Sequence, residues 1–428
     1  MPNILLRPIL KPINTSVNLH GSKSISNRIL LIAAMSTVKS VIYNIPYYSE
    51  DVMLMIQALK QLGVDIYTSQ IHNNSSVLTI TKPEFLNPHA NIFCGNSGTT
   101  MRFLTGVLAT LEGEFYLSGT ERMHQRPIAD LVQALQTIGS NIQYTDQVGF
   151  PPLKIIHFKY NGANKVIVNC NKSSQYLSSL LMALAFLNKP ITIEVIDNLI
   201  SQPYVNLTIE LLKKFNYNIS NIKNKYFINY SPNIKAVKYY VEPDASSATY
   251  FMALGAISGR VLINNLSQSS LQGDVKFANI IEKMGAIVNF HSNSIEIISK
   301  NKLYGVTVNM QDMPDAALTL ATLAIGAEGS TMIKGIASWR DKETNRMVAM
   351  RNELNKLGAQ VTTDDDSIYI VPPKHILPNI EIDTYNDHRI AMSFSIISAF
   401  KIPIIIKDIQ CVNKTFPNYF EIFCQINY

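Results

Sequence analysis

The stretch Gly95-Asn96-Ser97-Gly98-Thr99-Thr100-Met101-Arg102 sets two glycines, several short polar side chains and a cation directly before the apolar helical run Phe103, Leu104, Val107 and Leu108. A helix starts with backbone N–H groups that have no partner within it, and its dipole places positive charge at that end. Such a start attracts an anion, and glycine at 95 and 98 lets a ligand come close to the backbone. Arg102, one turn beyond Thr99, adds a full charge on roughly the same face. Taken alone, the stretch reads equally well as an ordinary capped helix. What favours chemistry is that the design recurs.

Five more apolar helical runs have unusually polar starts. Ser22-Lys23-Ser24 precedes 25–35, Ser173-Ser174-Gln175 precedes 176–186, and Asp244-Ala245-Ser246-Ser247 precedes 248–257. Pro314-Asp315 precedes 316–325, and Asn386-Asp387-His388-Arg389 precedes 390–400. Gly21-Ser22-Lys23-Ser24 matches the end of a phosphate-binding P-loop, but position 16 is Ser where that motif needs Gly, which excludes a nucleoside triphosphatase. Ser24 and Arg28 share a helix face. The densest charge lies in Ser338-Trp339-Arg340-Asp341-Lys342-Glu343-Thr344-Asn345-Arg346. Ser338 with Asp341 predicts a capping box, and the spacing of Met347, Met350, Leu354 and Leu357 predicts that its helix runs to Gly358. Lys342 and Arg346 would then share a face, with Glu343 beside Arg346, and two like charges so placed repel unless an anion lies between them. Asp315 opens a helix, where the dipole keeps a carboxylate ionised, as a proton acceptor requires. Tyr385 to Arg389 also reads as a cap with a buried histidine, and Lys414-Thr415-Phe416-Pro417 as a loop.

The elements that position these residues form a repeat. Amphipathic helices followed by short strands are predicted over 51–66, 128–142, 205–219, 274–288 and 345–361. Each helix stops at Gly, or at Asn216, where a left-handed residue ends it. The period of roughly seventy residues exceeds any solenoid unit. The chain therefore reads as an α/β protein of six copies of one unit, three per domain, with the last (416–426) truncated by the terminus.

Composition narrows the partners. The chain has 428 residues, 47% of them hydrophobic, which suits two domains with sizeable cores. Charged residues make up 16% and the net charge is +6, with no long basic run, so small anions are expected as ligands rather than nucleic acid. Cys94, Cys170, Cys411 and Cys424 are scattered without a CxxC pair, which argues against a zinc site or a disulfide framework. No signal peptide or membrane span is read from the sequence, so a soluble cytoplasmic protein is expected.

Taken together, the motifs resemble the 3-phosphoshikimate 1-carboxyvinyltransferase family, the enolpyruvylshikimate-phosphate synthases. The resemblance runs from end to end. It rests on Gly21 to Ser24 with Asn27-Arg28, Gly95 to Arg102, Gln125-Arg126-Pro127, Ser173-Ser174-Gln175, Ser201-Gln202-Pro203-Tyr204, Glu242 to Ser247 and Gln272-Gly273-Asp274. Pro314 to Ala317, Lys342 to Arg346, Asn386 to Arg389 and Lys414 to Pro417 complete the series. It implies two lobes of an inverse α/β barrel-like fold built from six βαβαββ repeats, three per lobe. One lobe would comprise 1–21 plus 241–428 and the other 22–240, with the active site in the cleft between them.

The implied reaction moves the enolpyruvyl group of phosphoenolpyruvate to the 5-hydroxyl of shikimate 3-phosphate and releases phosphate, in one chain acting as a monomer without metal or organic cofactor. By position, shikimate 3-phosphate would be held by Lys23, Ser24, Arg28, Ser173, Ser174, Gln175, Ser201, Tyr204, Asp315, Ser338 and Lys342. Phosphoenolpyruvate would be held by Lys23, Gly98, Arg126, Gln175, Arg346, Arg389 and Lys414. Asp315 is assigned as the base on the hydroxyl, Glu343 as the acid for the methylene, Lys23 as a charge stabiliser and His388 as an assisting group. Two departures stand out: Ser338 where bacterial relatives commonly carry Asn, and Phe103 where several carry Pro, which would shift the helix after Gly98. The small residue at 98 also implies that glyphosate competes with phosphoenolpyruvate. One rival is the sister transferase acting on a UDP-amino sugar, whose loop cysteine has no counterpart between Cys94 and Cys170. The other is a non-catalytic anion binder, which would have no use for Asp315 and Glu343.

Overall fold

A computed structural model describes residues 2–36, 38–72, 75–300 and 302–427. Contacts between Cα atoms divide the chain into two units, Gly21–Val241 and Met1–His20 with Glu242–Tyr428. Gly21 and Val241 belong together because a Cβ on Gly21 would collide with Asn44 O and the Val241 side chain, while Asn44 Nδ2 donates to Val241 O at 2.8 Å.

Among the described residues the unit Gly21–Val241 holds the α-helices α1 (Lys23–Met35), α2 (Glu50–Gln61), α3 (Gly98–Leu108), α4 (Ala129–Gln136), α5 (Gln175–Leu187) and α6 (Gln202–Lys214). Its sheets repeat one order: two parallel strands joined through a helix, then two antiparallel strands. In the second repeat these are His89–Phe93, Glu114–Ser118, Leu153–Ile156 and Asn141–Tyr144. The third repeat, 165–228, follows the same plan. In the first, the leading strand is Lys238–Tyr240, which pairs parallel with Ser40–Pro46 although it comes last in the unit.

The other unit carries α7 (Ala245–Ser258), α8 (Phe277–Lys283), α9 (Ala317–Leu323), α10 (Arg346–Lys356), α11 (His388–Ser395) and α12 (Tyr419–Asn427). Ile13–Val17, from the start of the chain, pairs parallel with Gly259–Asn264 and completes that repeat. The last repeat is not simply cut short. Its α12 forms, and Ile4–Leu6 pairs antiparallel with Ile404–Ile406 to supply a third strand.

In both units the first helix of each repeat (α1, α3, α5, α7, α9, α11) is buried almost throughout, and the second is buried on one face only. A helix enclosed on all sides must be apolar along its length, so polar residues concentrate at its ends. That is why polar starts precede apolar runs in the sequence. The second helices end at left-handed residues, among them Gly63, Gly139, Asn216, Gly285 and Gly358. Among the described residues no helix is long and apolar enough to cross a membrane.

Candidate active site

In the unit Gly21–Val241, the first turns of α1, α3 and α5 are linked by side chains. Ser22 and Ser97 cap α1 and α3, accepting from Ile25 N and Thr100 N. Asn27 Nδ2 donates to Thr99 Oγ1 at 2.7 Å, and Arg102 Nη1 to Gln175 Oε1 at 2.9 Å. Lys23, the first residue of α1, is paired with the buried Asp51 at 3.1 Å. Arg28 donates to Thr208 Oγ1 at 2.7 Å, to Ser24 O at 2.9 Å and to Ser178 Oγ at 3.4 Å, with its guanidinium over the rings of Phe103 and Tyr204. Phe103 thus serves as a platform for Arg28, within α3, which runs from Gly98. Arg126 Nη1 donates to Asn96 O at 2.9 Å, and among the described residues its Nε has no hydrogen-bond partner.

Arg28 and Arg126 are buried, yet among the described residues no carboxylate lies at ion-pair distance from either. Burial lowers the Arg28 pKa to about 10, the cost of holding a cation with neutral partners only. An incoming anion would offset that cost. Ser173 Oγ accepts from Gln175 N, Ser174 is the buried residue before α5, and Ser201 stands in left-handed backbone immediately before α6. Tyr204 completes this group through its ring on Arg28.

In the other unit the centre is Arg346, a buried guanidinium shared by three carboxylates. Its Nε donates to Asp387 Oδ2 at 2.7 Å, Nη1 to Asp315 Oδ1 at 2.7 Å and Nη2 to Glu343 Oε2 at 2.8 Å. Arg389 Nη2 meets the second Asp315 oxygen at 3.0 Å, so Asp315 bridges two arginines. Burial pushes the Asp315 carboxyl up, but Arg389, Lys342 and Arg346 outweigh it and hold it well below the usual carboxylate range. His388 is fully buried, and burial followed by Arg389 drives its pKa well below 6.5, so it is neutral. Lys414, at the end of the turn Ile409–Lys414, lies close enough to act on the same imidazole.

The predicted capping box at Ser338 does not form. Residues Ala337–Asp341 make a short 3-10 turn, Lys342 is extended, and α10 begins at Arg346 with Asn345 as its cap. Lys342 and Arg346 therefore do not share a helix face. What the spacing could not reveal is that Arg346 is surrounded by acids. The turn has another use: Trp339 Nε1 donates to Pro314 O at 2.7 Å, anchoring the residue before Asp315, with Ser338 buried beside it.

Sequence reasoning took Asp387 as a helix cap only. It caps α11 through Arg389 N at 2.9 Å and also grips Arg346, a second role with no signal in local spacing. Asp51 has no signal in the sequence reading, and Asn27 and Asp274 enter it only as parts of the family motifs, without a role. Asp274 is buried and accepts from Ser246 Oγ on α7. Burial, reinforced by Asp315, pushes its carboxyl up to about 6. A carboxyl raised in the folded state stabilises below the unfolded pKa, and that contribution is lost as pH rises through the folded one. Asp274→Asn is therefore expected to gain thermal stability relative to the wild type as pH is raised from 4 to 7, read by melting temperatures of both proteins across that window. Melting curves that run parallel would refute it.

Among the described residues no group of three or more His, Cys, Asp or Glu side chains is arranged to hold a metal ion. A profile of the EPSP synthases, described as 3-phosphoshikimate 1-carboxyvinyltransferase, matches residues 8–423. Similar chains include the 3-phosphoshikimate 1-carboxyvinyltransferases of Colwellia psychrerythraea, 43% identical over all of both chains, and of Buchnera aphidicola, 41% identical over 97% of this chain and 96% of that one. Among solved structures, an EPSP synthase from Acinetobacter baumannii superposes with a TM-score of 0.82 at 25% identity, covering 99% of this chain and 98% of that chain. The enolpyruvyl transferase NikO from Streptomyces tendae shares the fold, with a TM-score of 0.77 at 14% identity over 99% of this chain and 97% of that one. With its repeats, its two cation-rich clusters and these full-length matches, the chain belongs to the EPSP synthase family.

Proposed function

We propose that this enzyme transfers the enolpyruvyl group of phosphoenolpyruvate to the 5-hydroxyl of shikimate 3-phosphate and releases phosphate. The observation that carries the assignment of roles is Asp315, a carboxylate held between Arg346 and Arg389. A protein that merely bound anions would gain nothing from an acid among its cations, whereas a proton-transfer site needs one. The enzyme is taken to act as a monomer in the cytoplasm.

The two substrates carry phosphates and carboxylates that repel one another. Arg28, Ser24, Ser173, Ser174, Ser201 and Tyr204 are assigned to shikimate 3-phosphate. Arg346, Arg389, Lys414, Arg126 and Gly98 are assigned to phosphoenolpyruvate, Lys23 and Gln175 to both substrates, and Asp315, Lys342 and Ser338 to shikimate 3-phosphate. Arginine suits this because its fork meets phosphate or carboxylate with two parallel hydrogen bonds. Orientation alone can supply roughly 7 to 11 kcal/mol of the barrier.

In the addition half, the 5-hydroxyl oxygen bonds to C2 of phosphoenolpyruvate, its proton passes to Asp315, and Glu343 delivers a proton to the C3 methylene. In the elimination half the roles swap: the C2–O bond to phosphate breaks as Asp315 gives its proton to the departing phosphate, and the new methyl group returns a proton to Glu343, restoring the double bond. Lys23 offsets charge that builds on the departing phosphate, and neutral His388 is placed to assist by hydrogen bonding. Asp315 is a weak base while its arginines are unoccupied. Anionic groups of the substrate bound to Arg346 and Arg389 cancel those charges and raise its proton affinity when it must accept a proton.

The test is phosphate release with both substrates and with each withheld in turn. Release that does not require shikimate 3-phosphate, or that is seen with a UDP-amino sugar instead, overturns the proposal. A Cβ at position 98 would lie 2.8 Å from Arg126 Nη2 and 2.9 Å from Arg102 Nη1, so both guanidinium groups must shift. Gly98→Ala is accordingly expected to raise the inhibition constant of glyphosate, competing with phosphoenolpyruvate, by about tenfold or more, the effect of disturbing one or two charge-assisted hydrogen bonds. An unchanged inhibition constant counts against it.

A further inference from the structure

Helix α10 and the segment 383–387 are joined at two places, and only one of them touches the residues assigned to substrate. At the start of α10, Arg346 is gripped by Asp387. Two turns further on, Glu353 is completely buried and accepts from Tyr385 Oη at 2.7 Å, from Asp383 N at 3.1 Å and from Lys356 Nζ at 2.7 Å. Lys356 also reaches the Asp383 carboxylate at 2.7 Å, which in turn pairs with Lys407. A buried glutamate is costly unless each oxygen is satisfied, and here both are.

The segment so held is conformationally demanding. Tyr385 and Asn386 are consecutive non-glycine residues with φ of 53° each. Left-handed backbone at two adjacent side-chain-bearing positions persists only where the surroundings impose it. Immediately after them, Asp387 caps α11 and Arg389 points at Asp315. The Tyr385 phenol is thus the contact that fixes the backbone just before both arginines' supports.

We propose that Glu353 and Tyr385 are positioning residues: the phenol-to-carboxylate hydrogen bond holds the left-handed turn, and through Asp387 it sets Arg346 and Arg389 for the anionic groups of phosphoenolpyruvate. The inference rests on the assignment of those arginines to that substrate. It takes the reaction one layer outward, to groups that touch neither substrate.

Tyr385→Phe removes the hydroxyl and keeps the ring. The expected result is a KM for phosphoenolpyruvate raised roughly tenfold, as for the loss of one hydrogen bond to a charged group, with KM for shikimate 3-phosphate essentially unchanged. Glu353→Gln keeps an oxygen that accepts from the phenol, so its KM for phosphoenolpyruvate lies between wild type and Tyr385→Phe. A fall in kcat or melting temperature with both KM values unchanged marks a merely structural tie and overturns the inference, as does an equal rise in both. Hydrogen exchange of 383–389 supplies a readout independent of turnover, expected to accelerate in Tyr385→Phe. If the wild type fails to release phosphate from the two substrates, the assigned activity falls. Faster exchange at 383–389 then still supports the tie, and unchanged exchange overturns it.

Discussion

Asp315→Asn is expected to lower kcat for phosphate release by about 10²- to 10⁴-fold, the range of a lost general base, while leaving the KM of shikimate 3-phosphate nearly unchanged. The amide has nearly the same shape, but its single oxygen can accept from only one of Arg346 and Arg389, which lie 2.7 and 3.0 Å from the two carboxylate oxygens, and its NH2 faces the other. What it lacks is a charge that can take up the hydroxyl proton. The pH dependence is a sharper check. Because Arg389, Lys342 and Arg346 hold its pKa well below the usual carboxylate range, Asp315 in the free enzyme is ionised at any ordinary assay pH. The profile of kcat/KM therefore has no acid limb from Asp315 near neutrality, and Asp315→Asn leaves the shape of that profile unaltered while lowering its height. An enzyme whose Asp315→Asn variant keeps wild-type turnover does not use this carboxylate as its base.

Arg346→Ala is expected to destabilise the protein by about 3 to 5 kcal/mol, as for breaking a buried ion pair. The loss takes a cationic partner from three acids at once: Asp387 is fully buried, Glu343 nearly so, and Asp315 keeps Arg389. The melting temperature should fall by roughly 10 °C, since each kcal/mol is worth a few degrees in a unit of this size. Arg346→Lys separates charge from geometry. It keeps the cation but cannot present Nε, Nη1 and Nη2 to three partners, so it recovers part of the stability and little of the affinity for phosphoenolpyruvate. Asp315, held well below the usual carboxylate range, contributes stability that is present above its unfolded pKa and lost as pH falls through its folded one. The part of the Arg346→Ala deficit that comes from Asp315 accordingly shrinks in strong acid, where Asp315 is protonated in both proteins. A variant that melts with the wild type at pH 7 would show that the three contacts contribute nothing net.

The sequence by itself determined the repeat, the fold class and the family, because these depend on local physics and on ordered motifs. Apolar runs with polar starts mark helices enclosed by their neighbours, Gly or Asn marks where the second helix of each repeat stops, and the spacing of such units along the chain is a one-dimensional property. The candidate residues Lys23, Arg28, Asp315, Glu343, Arg346 and Arg389 were legible as charged groups at or near predicted helix starts, and Arg126 only through the resemblance. Apart from Glu343 beside Arg346, their partners were not. Helical spacing put Lys342 against Arg346, but the helix begins only at Arg346, and the groups around that guanidinium come from positions 315, 343 and 387. Only the tertiary structure brings Asp387 to Arg346, seats Arg28 on Phe103 and Tyr204, or buries Glu353 under Tyr385. Periodicity reports which face of an element is buried and is blind to which distant side chain meets it there. Charge pairing across tens of residues is decided by how repeats pack, and local spacing carries no term for that.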